Sequence, residues 1–384
     1  MLDRMIRTAL AAFALLLSGC ATRPAEVRVG FDATGVTSVT ARGLADRTTK
    51  RRVNADAPVR LASISKLVTA LGVMRLVEAG KITLDRDVSD WLGYRLRNPA
   101  FPDTPITLRL LLSHRSSLAD GADYVIPLGK SLKDVLADPR AWDQRHAPGT
   151  WFAYTNLNFP VIAGVLEKAT GERFDRLMTR IVFQPLGLDA CFNWSGCSPA
   201  KIARHVVLYR ATGEVALDDL HGQPPPCPVN TSGGCDLASY RLGDNGAIFS
   251  PQGGVRASMR DLARIGRVFL KNGDGFLSPA SMATLTTPVW TYDGTNGDTS
   301  HGFYCRYGLA TQTLPTPANG CADDLFGDDA TWVGHAGEAY AVRSGLWIDR
   351  AKGRGVAFFA TAVPDGSKGR SAFSREEERL ARNR

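Results

Sequence analysis

Apolar and polar positions alternate in three distinct rhythms along this chain. From Glu26 to Val59 they run as short alternating stretches, Val27-Arg28-Val29 and then Val36 to Ala41, with turn residues from Gly43 to Arg47. That pattern predicts two or three antiparallel strands. The rhythm then changes to helical spacing. Leu67, Leu71 and Met74 form one row and Val68, Leu76 and Val77 a second, until Gly80 and Lys81 stop the run. Ile82 to Leu92 reads as a connection ending in a helical turn, with Asp85, Asp87 and Asp90 in solvent. Ile106 to Leu112 predicts a capped apolar helix that closes at Ser113-His114, and Val161 to Lys168 predicts another after the Pro148-Gly149 turn. Leu188 to Asn245 is loop-rich, carries Pro224-Pro225-Pro226, and lacks a sustained periodic core, so it is read as an elaborated surface region. Ser258, with Asp261 at the third helical position, caps a further helix. Strand text returns in Trp332 to Gly337, Ala341 to Asp349 and Gly355 to Val363, and Ser374 to Arg384 ends the chain as a weak amphipathic helix or a frayed tail.

The helix after Leu61-Ala62 carries the first candidate chemistry. Ser63 stands at its start and Lys66 three residues on. Residues three apart share a helix face, about 5–6 Å apart at Cβ. A hydroxyl becomes a nucleophile when a neighbour takes its proton, and a lysine does so when burial lowers its pKa. A helix N-terminus also presents N–H groups where an oxyanion forms. The spacing recurs at Ser198-Pro199-Ala200-Lys201, which is read as a plain loop. A second candidate is Tyr154 with Asn156, two residues apart in a tight turn that can aim both into one cleft. His114, which closes a helix, is expected to interact with terminal carbonyls rather than act as a base.

With 384 residues, 44% of them hydrophobic and 22% charged, the chain has ample apolar material for one large domain with an inserted lobe or for two domains. The net charge of +8 is scattered rather than blocked, which argues against a nucleic-acid partner. Arg4 and Arg7 precede an apolar run from Thr8 to Leu17, the length of a signal-peptide core and too short to span a bilayer. Leu17-Ser18-Gly19-Cys20 follows and resembles the lipobox of bacterial lipoproteins. Residues 1–19 are therefore expected to be a lipoprotein signal peptide and Cys20 the lipidated residue. This implies a membrane partner through the lipid and an envelope location facing the periplasm; Ala21 resembles outer-membrane sorting. Six cysteines remain, an even number suited to disulfides in an oxidising compartment. Their sequence-local grouping predicts Cys191–Cys197, Cys227–Cys235 and Cys305–Cys321. No Cys-x-x-Cys or His-x-x-x-His spacing occurs, which disfavours zinc.

Ser63-x-x-Lys66, Tyr154-x-Asn156 and His335-x-Gly337 occur in that order, with supporting phrases at Leu111 to Leu118, Pro148-Gly149, Gln184 to Leu188 and Gly253-Gly254. Together they resemble the serine β-lactamase-related, penicillin-recognising hydrolases, across residues 36–363. The resemblance implies an α+β, β-lactamase/transpeptidase-like fold: an antiparallel sheet flanked by helices with an inserted α-rich lobe. Residues 20–384 would form the hydrolase domain, the sheet from about 27–60 and 300–384, the lobe from about 82–250. It implies that Ser63 forms an acyl-enzyme, that Lys66 and Tyr154 share the proton work, and that Asn156 binds substrate and Lys66. His335 and Gly337 would edge the cleft, and the backbone N–H groups of Ser63 and Glu338 would form the oxyanion hole. No metal or cofactor is implied. Many members carry lysine where His335 stands; a histidine is mostly neutral above about pH 6.5. The expected activity is therefore hydrolysis of a small ester, amide or D-amino-acid substrate, esterase-like or D-aminopeptidase-like. A β-lactamase or DD-carboxypeptidase is the alternative, and a non-catalytic peptidoglycan-binding lipoprotein a third reading. Two departures from the family stand out: little room for an opening helix after Cys20, and a poorly apolar C-terminal helix, expected to leave sheet coverage at that edge incomplete.

Overall fold

The computed structural model describes residues 24–383. Strands β1 (Glu26–Asp32) and β2 (Val36–Arg42) make the opening hairpin. Helices α1 (Ile64–Glu78), α2 (Leu108–Leu112), α3 (Asn158–Thr170) and α4 (Met259–Leu270) follow. The last third supplies β3 (Trp290–Thr291), β4 (Arg306–Tyr307), β5 (Gln312–Leu314), β6 (Trp332–Ala339), β7 (Val342–Asp349), β8 (Arg354–Ala360) and helix α5 (Arg375–Arg382). Eight strands form one sheet in the order β3-β4-β5-β6-β7-β8-β1-β2, each pair antiparallel. The N-terminal hairpin thus completes a sheet whose other strands come from the end of the chain.

Burial explains why the two halves meet. Val27, Val29 and Phe31 of β1 point into the core, while β2 is an edge strand with mostly exposed Thr and Ser. Phe31 lodges against α4 and β8 because Gly266 and Gly355 leave its ring room; a Cβ on either would lie 2.1 or 2.2 Å from the ring. On the opposite face, Leu380 and Ala381 of α5 pack with Trp347, Phe358 and Phe373. A capping box between Ser374 and Glu377 starts that helix, and Arg379 pairs with Glu26 of β1. The short C-terminal segment therefore does cover the sheet, despite its charge.

Helix α1 runs through the centre of the molecule. Every residue from Ile64 to Met74 is buried, so its two apolar rows are parts of a surface that is enclosed all round. Gly72 makes room for Met178, whose Sδ would sit 2.5 Å from a Cβ there.

Several local expectations are revised. Residues 44–60 do not join the main sheet. Leu44–Asp46 pairs with Arg51–Arg52, and Val59–Arg60 pairs with Val255–Ala257, which in turn pairs with Cys191–Phe192. The C-terminal part of the main sheet begins at Trp290 rather than near 300. Ser198 to Lys201 is not a loop: Ser198 caps a one-turn helix, and buried Lys201 donates to Asp261 at 2.7 Å. Disulfides join Cys191–Cys197, Cys227–Cys235 and Cys305–Cys321, with Cα separations of 5.1, 5.6 and 5.9 Å. Among the described residues no helix is long and apolar enough to cross a membrane. The signal peptide and Cys20 lie outside the described residues.

Candidate active site

A cleft of about 650 Å³ opens over the N-terminus of α1, between β6 and the loops that lead into α3 and α5. Ser63 occupies the cap position of α1, with Ala62 before it in the left-handed region at φ 49°. The Ser63 hydroxyl makes no capping bond to the helix. It is instead held by Lys66, whose Nζ lies 3.1 Å from Oγ. Helical spacing placed these two groups on one face; the surrounding core then set the state of the amine.

Lys66 has no exposed surface. Its Nζ also donates to Asn156 Oδ1 at 2.8 Å and to the Gln252 carbonyl at 3.2 Å. Burial pulls the ammonium down from 10.5 to about 7, a shift that Asp120 partly opposes. Near neutral pH a large fraction of Lys66 is therefore free amine, able to accept a proton.

Tyr154 comes from the turn before α3, and its ring lies under Lys66 Nζ at 4.8 Å from the centroid. Stacked rings hold it on both sides, His114 at 4.4 Å and Tyr304 at 4.3 Å between centroids. Its hydroxyl is buried and no group hydrogen-bonds it with normal geometry. Burial raises the phenol pKa, and the facing hydroxyls of Ser63 and Tyr304 offset that only in part. Tyr154 is thus a protonated phenol across the neutral range.

Asn156 is fixed by a residue that sequence reading passed over. Asp120 accepts from the Asn156 backbone N–H and side-chain Nδ2, both at 2.9 Å, and from the Leu157 N–H at 3.0 Å. One carboxylate thereby clamps the whole Tyr-x-Asn turn and faces the asparagine oxygen toward Lys66. Nothing in the spacing of Asp120 marks it as a partner of a turn 36 residues away.

His114 also departs from expectation. It lies in the left-handed region at φ 56°, and its Nδ1 accepts from the Thr155 N–H at 3.0 Å and lies 3.1 Å from Asn158 Nδ2. It supports Tyr154 from behind instead of capping helix carbonyls. Burial, then the nearby Lys66, hold its pKa well below the ordinary histidine value.

Strand β6 forms the opposite wall with Ala336, Gly337, Glu338 and Ala339. Gly337 is required by close approach: a Cβ would lie 2.3 Å from the Leu61 carbonyl and 2.3 Å from Ser344 Oγ. The same Cβ would stand 3.3 Å from the Ser63 backbone nitrogen, so the strand edge and the Ser63 turn are in direct apposition. The Glu338 side chain turns outward to pair with Arg343 at 2.7 Å.

His335 does not do what its position in the motif suggested. It is fully buried, and its Nε2 lies 2.8 Å from Tyr307 Oη while Nδ1 bonds the Ala336 carbonyl. The carbonyl fixes Nδ1 as the protonated nitrogen and leaves Nε2 to accept from the tyrosine. Burial, reinforced by Lys66, lowers its pKa to about 3. His335 is a neutral support beneath Tyr154, 6.2 Å between ring centroids, and is not a group that lines the cleft. Tyr304 and Tyr307, beside the Cys305–Cys321 disulfide, complete this aromatic bed and carried no motif that would have flagged them. Among the described residues no cluster of His, Cys, Asp and Glu is arranged to hold a metal ion.

The family model described as Beta-lactamase matches residues 27–380. Esterase EstB of Burkholderia gladioli is 28% identical over 348 residues, covering 86% of this chain and 83% of that protein. Among solved structures, a class C beta-lactamase from Rhodobacter sphaeroides superposes with a TM-score of 0.65 at 19% identity, over 97% of this chain and 96% of that one. A D-stereospecific amidohydrolase from Streptomyces sp. does so with a TM-score of 0.61 at 19% identity, over 94% of each.

Proposed function

The chain belongs to the Beta-lactamase family and is a serine hydrolase of that fold; from this premise we propose that it cleaves a small ester or amide through an acyl-enzyme on Ser63. The observation that carries the reading is the contact of the Ser63 hydroxyl with a lysine whose pKa burial lowers to about 7.

In the first half-reaction, neutral Lys66 takes the Ser63 proton as Oγ attacks the substrate carbonyl. The negative oxygen that develops is received by the backbone N–H groups of Ser63 and Glu338. Collapse of the tetrahedral species breaks the bond to the leaving group, which takes a proton from Lys66 by way of the Tyr154 hydroxyl. Water then attacks the acyl-serine, giving its proton to Lys66, and Ser63 is released with a proton restored. Tyr154 acts in this scheme as a neutral relay, and Lys66 as the group that titrates. Asn156, held by Asp120, keeps the amine aimed at Oγ and offers its amide to substrate.

Esterase-like or D-aminopeptidase-like specificity is favoured by His335. The strand position offers no cation to a substrate carboxylate, because a buried imidazole with pKa about 3 is neutral. The esterase relative and the D-stereospecific amidohydrolase neighbour point the same way. We also place the protein in the bacterial envelope, anchored through Cys20. The support is the N-terminal signal pattern together with three disulfides, which persist in oxidising compartments.

Ser63→Ala is expected to abolish both ester turnover and labelling by a fluorophosphonate probe, and labelling that persists refutes the acyl-enzyme. Short-chain p-nitrophenyl esters, D-amino-acid amides and nitrocefin assayed side by side separate esterase, aminopeptidase and β-lactamase activity.

A further inference from the structure

Arg60 is the feature of the cleft that the proposed chemistry leaves unused. It precedes the nucleophile turn by three residues and lines the same cleft as Ser63, beside Tyr124, Gln252 and Gly253. Its guanidinium lies over the Tyr340 ring, 5.0 Å from the centroid, and one terminal nitrogen stands 3.5 Å from Ser250 Oγ. Nε is buried without a hydrogen-bond partner. Among the described residues no carboxylate lies within ion-pair distance of it.

The neighbouring strand makes this lack of a counter-charge conspicuous. Arg60 sits directly opposite Arg256 in the register of the small sheet. Arg256 is satisfied by Asp218, at 3.0 and 3.2 Å, and by Asn193 at 3.2 Å. Arg60 faces the Arg256 charge without a carboxylate of its own. Burial, then the Arg256 charge, lower its pKa to about 10, which leaves it a cation under all ordinary conditions. A half-buried guanidinium that faces the cleft with its Nε unpartnered and no carboxylate of its own matches the shape of a planar carboxylate.

We propose that Arg60 is a carboxylate-recognition residue: the natural substrate carries an anionic carboxyl group, remote from the scissile carbonyl, that docks on Arg60 between Tyr124 and Tyr340. The inference rests on the acyl-enzyme reading and narrows its substrate class to monoesters or amides that bear a free carboxylate. It assigns to the approach strand the anion-binding task that buried, neutral His335 does not perform on β6.

The test compares a p-nitrophenyl ester of glutaric acid carrying its free carboxylate with the methyl-capped neutral ester. Hydrogen bonds to a charged group correspond to about 10–150-fold in binding, so the ratio of the two kcat/KM values should fall by that order in Arg60→Gln. Arg60→Lys, which keeps charge but not the planar fork, should lie between. A ratio that stays within about twofold of wild type in both variants overturns the proposal. Should the variants fail to fold, the wild-type enzyme decides. Glutarate must inhibit turnover of the neutral ester competitively and far better than glutaramide, and equal inhibition overturns the proposal. Fluorophosphonate labelling of Ser63 reports separately on the acyl-enzyme: labelling with no preference for the anionic ester defeats this inference alone.

Discussion

Tyr154→Phe isolates one hydroxyl from everything else that shapes the site. The ring stays stacked between His114 and Tyr304, and Lys66 keeps its bonds to Asn156 at 2.8 Å and Gln252 at 3.2 Å. The lost hydroxyl is buried and only loosely faced by the Ser63 and Tyr304 hydroxyls, so its removal should change stability by no more than about 1 kcal/mol. Proton relay by a positioned side chain contributes ~10²–10⁴-fold, or about 3–5.5 kcal/mol of activation free energy. That loss should appear with an alkyl ester or an amide, whose leaving group needs a proton. It should shrink to less than about tenfold with a p-nitrophenyl ester, whose phenolate departs without one. With neutral Lys66 as the base of the proposed mechanism, kcat/KM should rise through pH about 7 and then flatten, and Tyr154→Phe should keep that limb. The measurement is kcat/KM from pH 5 to 9 for both substrates, with thermal unfolding of each protein as the control. Disappearance of the limb near pH 7 would show that the phenol, not the lysine, titrates. An equal drop for both substrates would show that the phenol does not serve the leaving group.

Gly337→Ala inserts a Cβ 2.3 Å from both the Leu61 carbonyl and Ser344 Oγ, so β6 must move from the nucleophile turn; a stability loss of ~1–3 kcal/mol and a fall in kcat larger than the rise in KM are expected from denaturant unfolding and steady-state kinetics. Wild-type stability and unchanged kcat would contradict the close apposition. Glu377 lines the cleft from α5 and is raised by burial from 4.5 to about 7. Between those values the folded state holds the proton more tightly than the unfolded chain, so this group's contribution is present below pH 4.5 and lost as pH rises through about 7. Glu377→Gln keeps the capping geometry toward Ser374 and removes the charge. It should match wild type near pH 4 and unfold at a higher temperature than wild type at pH 8, while a variant less stable than wild type at pH 8 would reverse the assignment.

Much of this protein was written locally. Three-residue spacing put Ser63 and Lys66 on one helix face, Gly80 closed that helix, Ser258 and Asp261 capped the next one, and the cysteines that lie near each other in sequence are those the structure joins. These features depend on a few adjacent residues, whose geometry is set by backbone rise, capping and short loop closure. Protonation states and long-range partners depend on what the rest of the chain brings near, and only the folded molecule decided them. The Lys66 ammonium has a lowered pKa because an enclosing core strips it of water, which its helical pattern does not record. His335 turned from a supposed substrate contact into a neutral prop once Tyr307 and a backbone carbonyl took both its nitrogens. Asp120 became the clamp of the Tyr154–Asn156 turn, and Arg60 an uncompensated cation, only when distant segments closed around one cleft. Dielectric and counter-charge are properties of a volume, and a linear sequence records positions without recording the volume they come to share.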